Sequence, residues 1–177
     1  MLHKNGDRLR AVYFPKGGVA TITTILADGT AVEAATVGDE GMVGLEAFFG
    51  VDAIAPGEAL IQVPDTSAEM MSVEDFRRES GAAGAFHDLI GHYAQVVIVQ
   101  MMQSTACNAL NPVPQRCARW LLMTHDRMSK TSISAMSSWR LCWACSGPPW
   151  STVAAALQRA GLIRYTVVSS ECSTVKG

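Results

Sequence analysis

The sequence predicts an α+β protein in which a small antiparallel β-roll precedes a run of helices. Three observations carry this. Short β-rich runs punctuated by glycine fill Val12 to Val63. A long stretch from Phe86 has apolar residues at helical spacing. Two further helical patterns follow, separated from it and from each other by proline-containing segments.

In the first part, GGVATITTILADGTAVEAATVG places Asp28 and Gly29 between two strand-like runs, a hairpin signal because glycine tolerates φ > 0. GDEGMVGLEAFFG follows, with glycines 38, 41, 44 and 50 marking tight loops. ALIQVP then predicts another strand, closed by Pro64. SVEDFRRES opens a helix at Ser72, with Asp75 three residues on in the manner of a capping box.

Phe86, Leu89, Ile90, Tyr93, Val96, Val97 and Met101 define the long helix, and no residue between Asp88 and Arg116 carries a full formal charge. A helix that is apolar all round needs cover on most sides. The expected cover is the same helix of a second subunit in an isologous contact, those seven residues forming the homodimer interface. Asn111, Pro112, Val113 and Pro114 break this helix, because proline disfavours helix in the residue before it. QRCARWLLMTHDR resumes as a shorter helix. Ser151 is expected to cap a last one over STVAAALQRAGLI, with Val153, Leu157 and Ala160 inward and Gly161 stopping it.

Composition excludes several classes. At 177 residues, 49% apolar and 17% charged, the chain can bury a core. Its net charge of −2 hides an asymmetry: residues 1–127 hold 9 Lys and Arg against 15 Asp and Glu, residues 128–177 hold 5 against 1. The basic tail points to a polyanion partner. The N-terminus lacks the apolar core of a signal peptide, so a cytoplasmic location is expected, with its five cysteines reduced. The segment YAQVVIVQMMQ is interrupted by Gln95, Gln100 and Gln103, which argues against a membrane span.

The strings YFPKGGVATI, VEAATVGDEGMVGL, QSTACNALNPVPQRCARWLLMTHDR and VAAALQRAGLIRY, in this order, resemble the Crp/Fnr family of bacterial transcription regulators. The resemblance spans most of residues 13–165. It implies a cyclic-nucleotide-binding-like β-roll over 1–84, a dimerisation helix over 85–110 and a winged helix-turn-helix over 111–177. It further implies a homodimer on a palindromic double-stranded DNA operator, with RNA polymerase as a further partner. Relative to the family the roll starts late and is expected to be partial, and 128–150 and 166–177 are atypical.

By the same resemblance, Gly38, Glu40, Gly41 and Gly44 stand where relatives hold an effector. VDAIAPGEAL contains no basic residue to meet a cyclic phosphate, so the expected effector is not a cyclic nucleotide. Ser151 and Thr152 are the candidates for a base edge; Lys130, Arg140, Arg159 and Arg164 are candidates for phosphates.

Residues 136–150, MSSWRLCWACSGPPW, hold three of the four tryptophans and fall where the scaffold helix is due. Tryptophan and cysteine codons read one base back give only Leu, Met or Val. Trp139, Cys142 and Trp143 would then be aliphatic at the i, i+3, i+4 spacing of a buried helix face. This fits a coding sequence that changes frame near Met128, returns near Ser151 and changes again near Tyr165. The alternative function is therefore a damaged product that dimerises without specific DNA binding.

Cys142 and Cys145 match C-x-x-C, but no second ligand pair accompanies them, so no metal or cofactor is expected. His87 and His92 are five apart, not on one helix face. No nucleophile and base constellation is present, which argues against an enzyme.

Overall fold

The computed structural model describes residues 1–29, 31–50, 52–61, 67–81, 83–127 and 150–161. The roll is made of two antiparallel sheets. One pairs β1 (Ala11–Lys16) with β5 (Ser67–Ser72); the other has the order β3-β2-β4, from β2 (Ala20–Ile25), β3 (Ala31–Val37) and β4 (Glu58–Ile61). Isolated bridges His3–Ala59, Arg8–Ile54 and Tyr13–Val43 stitch the segment before β1 and the loop after β3 to the rest.

The β2–β3 hairpin turns at Gly29, whose φ of 83° is open to glycine and costly for other residues. Its N–H returns to the Leu26 carbonyl at 2.9 Å. A bulge between Ile22 and Thr23 shifts the register. It brings Thr23, fully buried, to the Glu58 carbonyl, which accepts its hydroxyl at 3.3 Å. Gly57 lies so close to β2 that a Cβ there would run into the Thr23 carbonyl oxygen.

α1 (Glu46–Phe49) and α2 (Val73–Ser80) close one end of the roll. Ser72 caps α2 as expected, its hydroxyl accepting the Asp75 N–H at 3.0 Å. α3 (Ala85–Leu110) runs for 26 residues with Asp88 as its single formal charge. Asn111 ends it, donating to the Cys107 carbonyl at 2.9 Å, and α4 (Val113–Arg127) starts beyond Pro112. α5 (Trp150–Arg159) packs on α4 and stops at Ala160–Gly161, where Gly161 has φ 72°.

Two apolar clusters hold this together. Leu9, Val12, Met42, Ala47, Phe76 and Ile90 form one, with Phe14, Phe48, Phe86 and Tyr93 against it; Ala20, Val37, Val43 and Ala59 form the other. The first joins the roll to α2 and α3, so the long helix is part of the roll's own core.

Four features depart from the sequence reading. β5, SAEMMS, was not foreseen, because it lacks an alternating apolar pattern and is held by pairing with β1. α5 begins at Trp150, so Ser151 stands in its first turn and is not its cap. Val153 is buried and Leu157 half-buried as expected, but Ala160 is exposed, since the helix has ended by then. Among the seven residues expected at a dimer contact, Ile90 is buried against the roll, with Phe86 and Tyr93 packed beside it. Among the described residues no helix is long and apolar enough to cross a membrane.

Candidate functional site

The described residues that the sequence singles out lie on three parts of the structure: the glycine loop after β3, α3, and α5. The loop is a polar junction. Gly38 donates to Glu40 Oε1 at 3.2 Å, Gly41 to the Gly38 carbonyl at 3.1 Å, and Gly17 to Asp39 Oδ1 at 2.6 Å. Tyr93 reaches in from α3, its hydroxyl accepting the Met42 N–H at 3.1 Å and donating to the Met42 carbonyl at 3.0 Å. A Cβ at Gly41 would collide with this phenol, which explains the glycine. At Gly44 the backbone has φ 94°, beside β1.

Arg127, the last residue of α4, completes the junction. It donates from Nε to Glu40 Oε1 at 2.5 Å, from Nη1 to Thr36 Oγ1 at 2.9 Å and from Nη2 to Gln100 Oε1 at 3.4 Å. Gln100 in turn donates to the Thr36 carbonyl at 3.1 Å. One guanidinium thus ties β3, the glycine loop and α3 to the end of α4, with only 17% of its side chain exposed. The effector-pocket candidates Gly38, Glu40 and Gly41 are brought together, and the groups they meet belong to α3 and α4. Arg127, Gln100 and Thr36 were missed by the sequence reading; their partners are far away along the chain and follow no local spacing.

Burial pushes the Glu40 carboxyl up, but the Arg127 hydrogen bond and charge and the Gly38 N–H push it further down, so it titrates below the ordinary glutamate value. Burial pushes the Tyr93 phenol up. A depressed carboxylate adds stability that is fully present above the unfolded-state value of about 4.3 and is lost as pH falls through the folded-state value. Because Glu40 is about half exposed, the effect is modest. Glu40→Gln is expected to cost about 1 kcal/mol near neutral pH and nothing at a pH where wild-type Glu40 is protonated. Urea unfolding of both proteins across that range checks it; parallel pH profiles would refute the assignment.

α3 shows two faces. Inward, Ile90, Ala94 and Cys107 are buried on the roll, with Phe86, Tyr93, Val97 and Met101 half-buried. Outward, Leu89, His92, Val96, Val99, Gln103, Ala106 and Leu110 are all exposed and fall at alternating spacings of three and four, with Ile98 and Met102 exposed beside them. Of the expected interface residues only Leu89 and Val96 lie on this stripe. Val99, Met102 and Leu110 were missed, because a helix apolar all round gives no period from which to choose a face.

On α5, Thr152 and Arg159 are exposed and Val153 is turned inward. The expected phosphate contacts Lys130, Arg140 and Arg164 lie outside the described residues, as do Cys142 and Cys145 and the atypical stretches up to residue 149 and from 166. Cys107 and Cys117 are both buried. Among the described residues no three of His, Cys, Asp and Glu gather as a metal site.

No family model and no curated protein matches the chain. Solved structures do. FixK2 from Bradyrhizobium japonicum superposes with a TM-score of 0.74 at 16% identity, over 94% of this chain and 84% of that one. A CRP-family transcriptional regulator from Thermus thermophilus gives 0.71 at 18%, over the same shares. A CRP/FNR-family regulator from the same organism gives 0.64 at 16%, over 93% and 88%. A likeness spread over nearly the whole of both partners, at such low identity, is one of architecture: this chain has the fold of the Crp/Fnr transcription regulators.

Proposed function

We propose that this chain is a DNA-binding transcription regulator of the Crp/Fnr type, acting as a homodimer on a palindromic operator. Its parts would be an effector-type roll over 1–84, a dimerisation helix over 85–110 and a DNA-binding region over 111–177. The observation that carries the reading is the exposed stripe of α3. A 26-residue helix with one formal charge covers the roll with one face and leaves a three-four apolar seam outside, the pattern that pairs two helices about a two-fold axis. The remainder of the reading is that two copies joined along α3 would carry two α5 helices, one per half-site, with Thr152 near base edges and Arg159 near phosphate.

The effector is not a cyclic nucleotide in this reading. The cation nearest the glycine loop, Arg127, is already engaged by Glu40, Thr36 and Gln100, which leaves a cyclic phosphate without a partner there.

Selection of duplexes from a random pool by the full chain tests the proposal. The expected result is an inverted repeat with half-sites about 10 base pairs apart, bound with an affinity that falls steeply with salt. Enrichment of no sequence, with binding no tighter than to competitor DNA, would refute specific recognition. A dimer with that behaviour would instead favour the second reading, a dimerising module without a DNA target. That reading draws on α5, where Arg159 is the only basic residue and sits in the last turn, away from a helix start that would meet guanine edges.

A further inference from the structure

A second polar site lies where β3, the end of α3 and the start of α4 meet. These elements enclose a cavity of about 30 Å³, lined in part by Glu33, Ser104, Asn108, Arg116, Arg119 and Trp120. Arg116 is one of the lining residues, and its Nε is buried and finds no acceptor among the described residues, one of three buried side-chain polar atoms of which this is true. Arg119 donates to Ser104 Oγ at 3.4 Å, a long contact. Glu33 is engaged elsewhere on the rim, its Oε2 accepting from Trp120 Nε1 at 3.2 Å and lying 3.5 Å from Thr21 Oγ1.

We propose that this cavity binds a small monovalent anion, of the size of chloride or nitrate, held by the Nε–H of Arg116. A buried N–H on a charged group requires an acceptor, and the cavity that Arg116 lines is large enough to hold one. Two guanidinium groups against one carboxylate leave the lining with a net positive charge, which one monovalent anion neutralises. Bound there, the anion would join three elements that meet at the hinge between α3 and α4. The inference stands apart from the DNA-binding proposal and neither depends on the other.

Chloride NMR line widths measured on the full chain test it. Wild type is expected to broaden the chloride signal in excess of its surface contribution, and nitrate is expected to compete the excess away. Arg116→Met, which keeps the stem and removes the guanidinium, is expected to lose the excess while retaining the far-ultraviolet circular dichroism of wild type. If Arg116→Met does not fold, Arg119→Gln serves: a reduced excess supports the site, and an unchanged one overturns it. Equal broadening by wild type and folded Arg116→Met also overturns it, leaving a cavity filled by water only.

Discussion

Val96→Glu is expected to turn a dimer into a monomer at micromolar concentration and to abolish operator binding with it. Val96 is 63% exposed, at the centre of the stripe that runs from Leu89 to Leu110. Burying one valine side chain against a partner is worth about 1.5–3 kcal/mol, and a two-fold contact counts each substitution twice. The glutamate also loses solvation in a largely apolar seam, whose polar members are His92 and Gln103. A loss of about 3 kcal/mol or more corresponds to a dissociation constant raised at least a hundredfold, at 1.4 kcal/mol per factor of ten. Sedimentation equilibrium reads the change directly. The monomer should keep its far-ultraviolet circular dichroism, since Val96 is exposed and outside the roll's core, while its thermal midpoint falls by the share that association supplies. A dimer as tight as wild type would show that the partner, if there is one, seats elsewhere. Asp88→Asn, at the edge of the helix, should leave the association near its original value.

The seam also marks what the sequence could and could not disclose. Elements with a local chemical signature were legible: Gly29 turning the hairpin, Ser72 capping α2, Pro112 separating α3 from α4, although Val113 and Pro114, expected in the break, form the first turn of α4 instead. Each is decided within a few residues, by a backbone angle or a single hydrogen bond. The faces of α3 were not legible, because its hydrophobicity has no direction, and only the packing of Phe86, Ile90 and Tyr93 on the roll shows which side is left over. β5 escaped for a related reason, since its place is set by β1 some fifty residues earlier, paired Ala11 to Ser72 through Lys16 to Ser67. The Glu40–Arg127 pair spans 87 positions, a separation at which no spacing rule applies. Arg116 illustrates the limit: its place on a helical wheel is plain, but that it lines a cavity with Glu33 of β3 and Ser104 of α3 follows only from the packing of these elements. The glycine loop after β3 was half legible. Its glycines announced tight turns, yet the reason for Gly41, the Tyr93 phenol pressed against it, comes from another element altogether.

Phe76→Ala should cost about 3–5 kcal/mol, the largest loss of stability expected from any single change in the described core. Phe76 is wholly buried, the largest side chain that is, and sits on α2 between the roll and α3. Its ring meets Phe86 of α3 edge-on, with centroids 6.0 Å apart and planes at 79°, and shares a cluster with Val12, Met42, Ala47 and Ile90. Truncation removes the bridge between three elements and leaves a cavity that α2, pinned by the Ser72 cap, cannot collapse to fill. A domain of this kind holds about 5–15 kcal/mol in all, so the loss takes a fifth of it or more. Phe76→Leu keeps most of the volume and should cost less than about 1.5 kcal/mol. Urea midpoints of the two variants against wild type decide the matter, and a loss below about 1 kcal/mol for the alanine variant would remove Phe76 from the core. The consequence extends past stability. α3 is anchored to the roll through Phe86 and Ile90, so a loosened Phe76 site should let the helix rock on the roll and weaken association along its outer face, although no residue of that face has changed. A variant that lost stability yet dimerised as tightly as wild type would separate the two faces of α3 energetically, making the outer seam a contact that needs only the helix and not its seat.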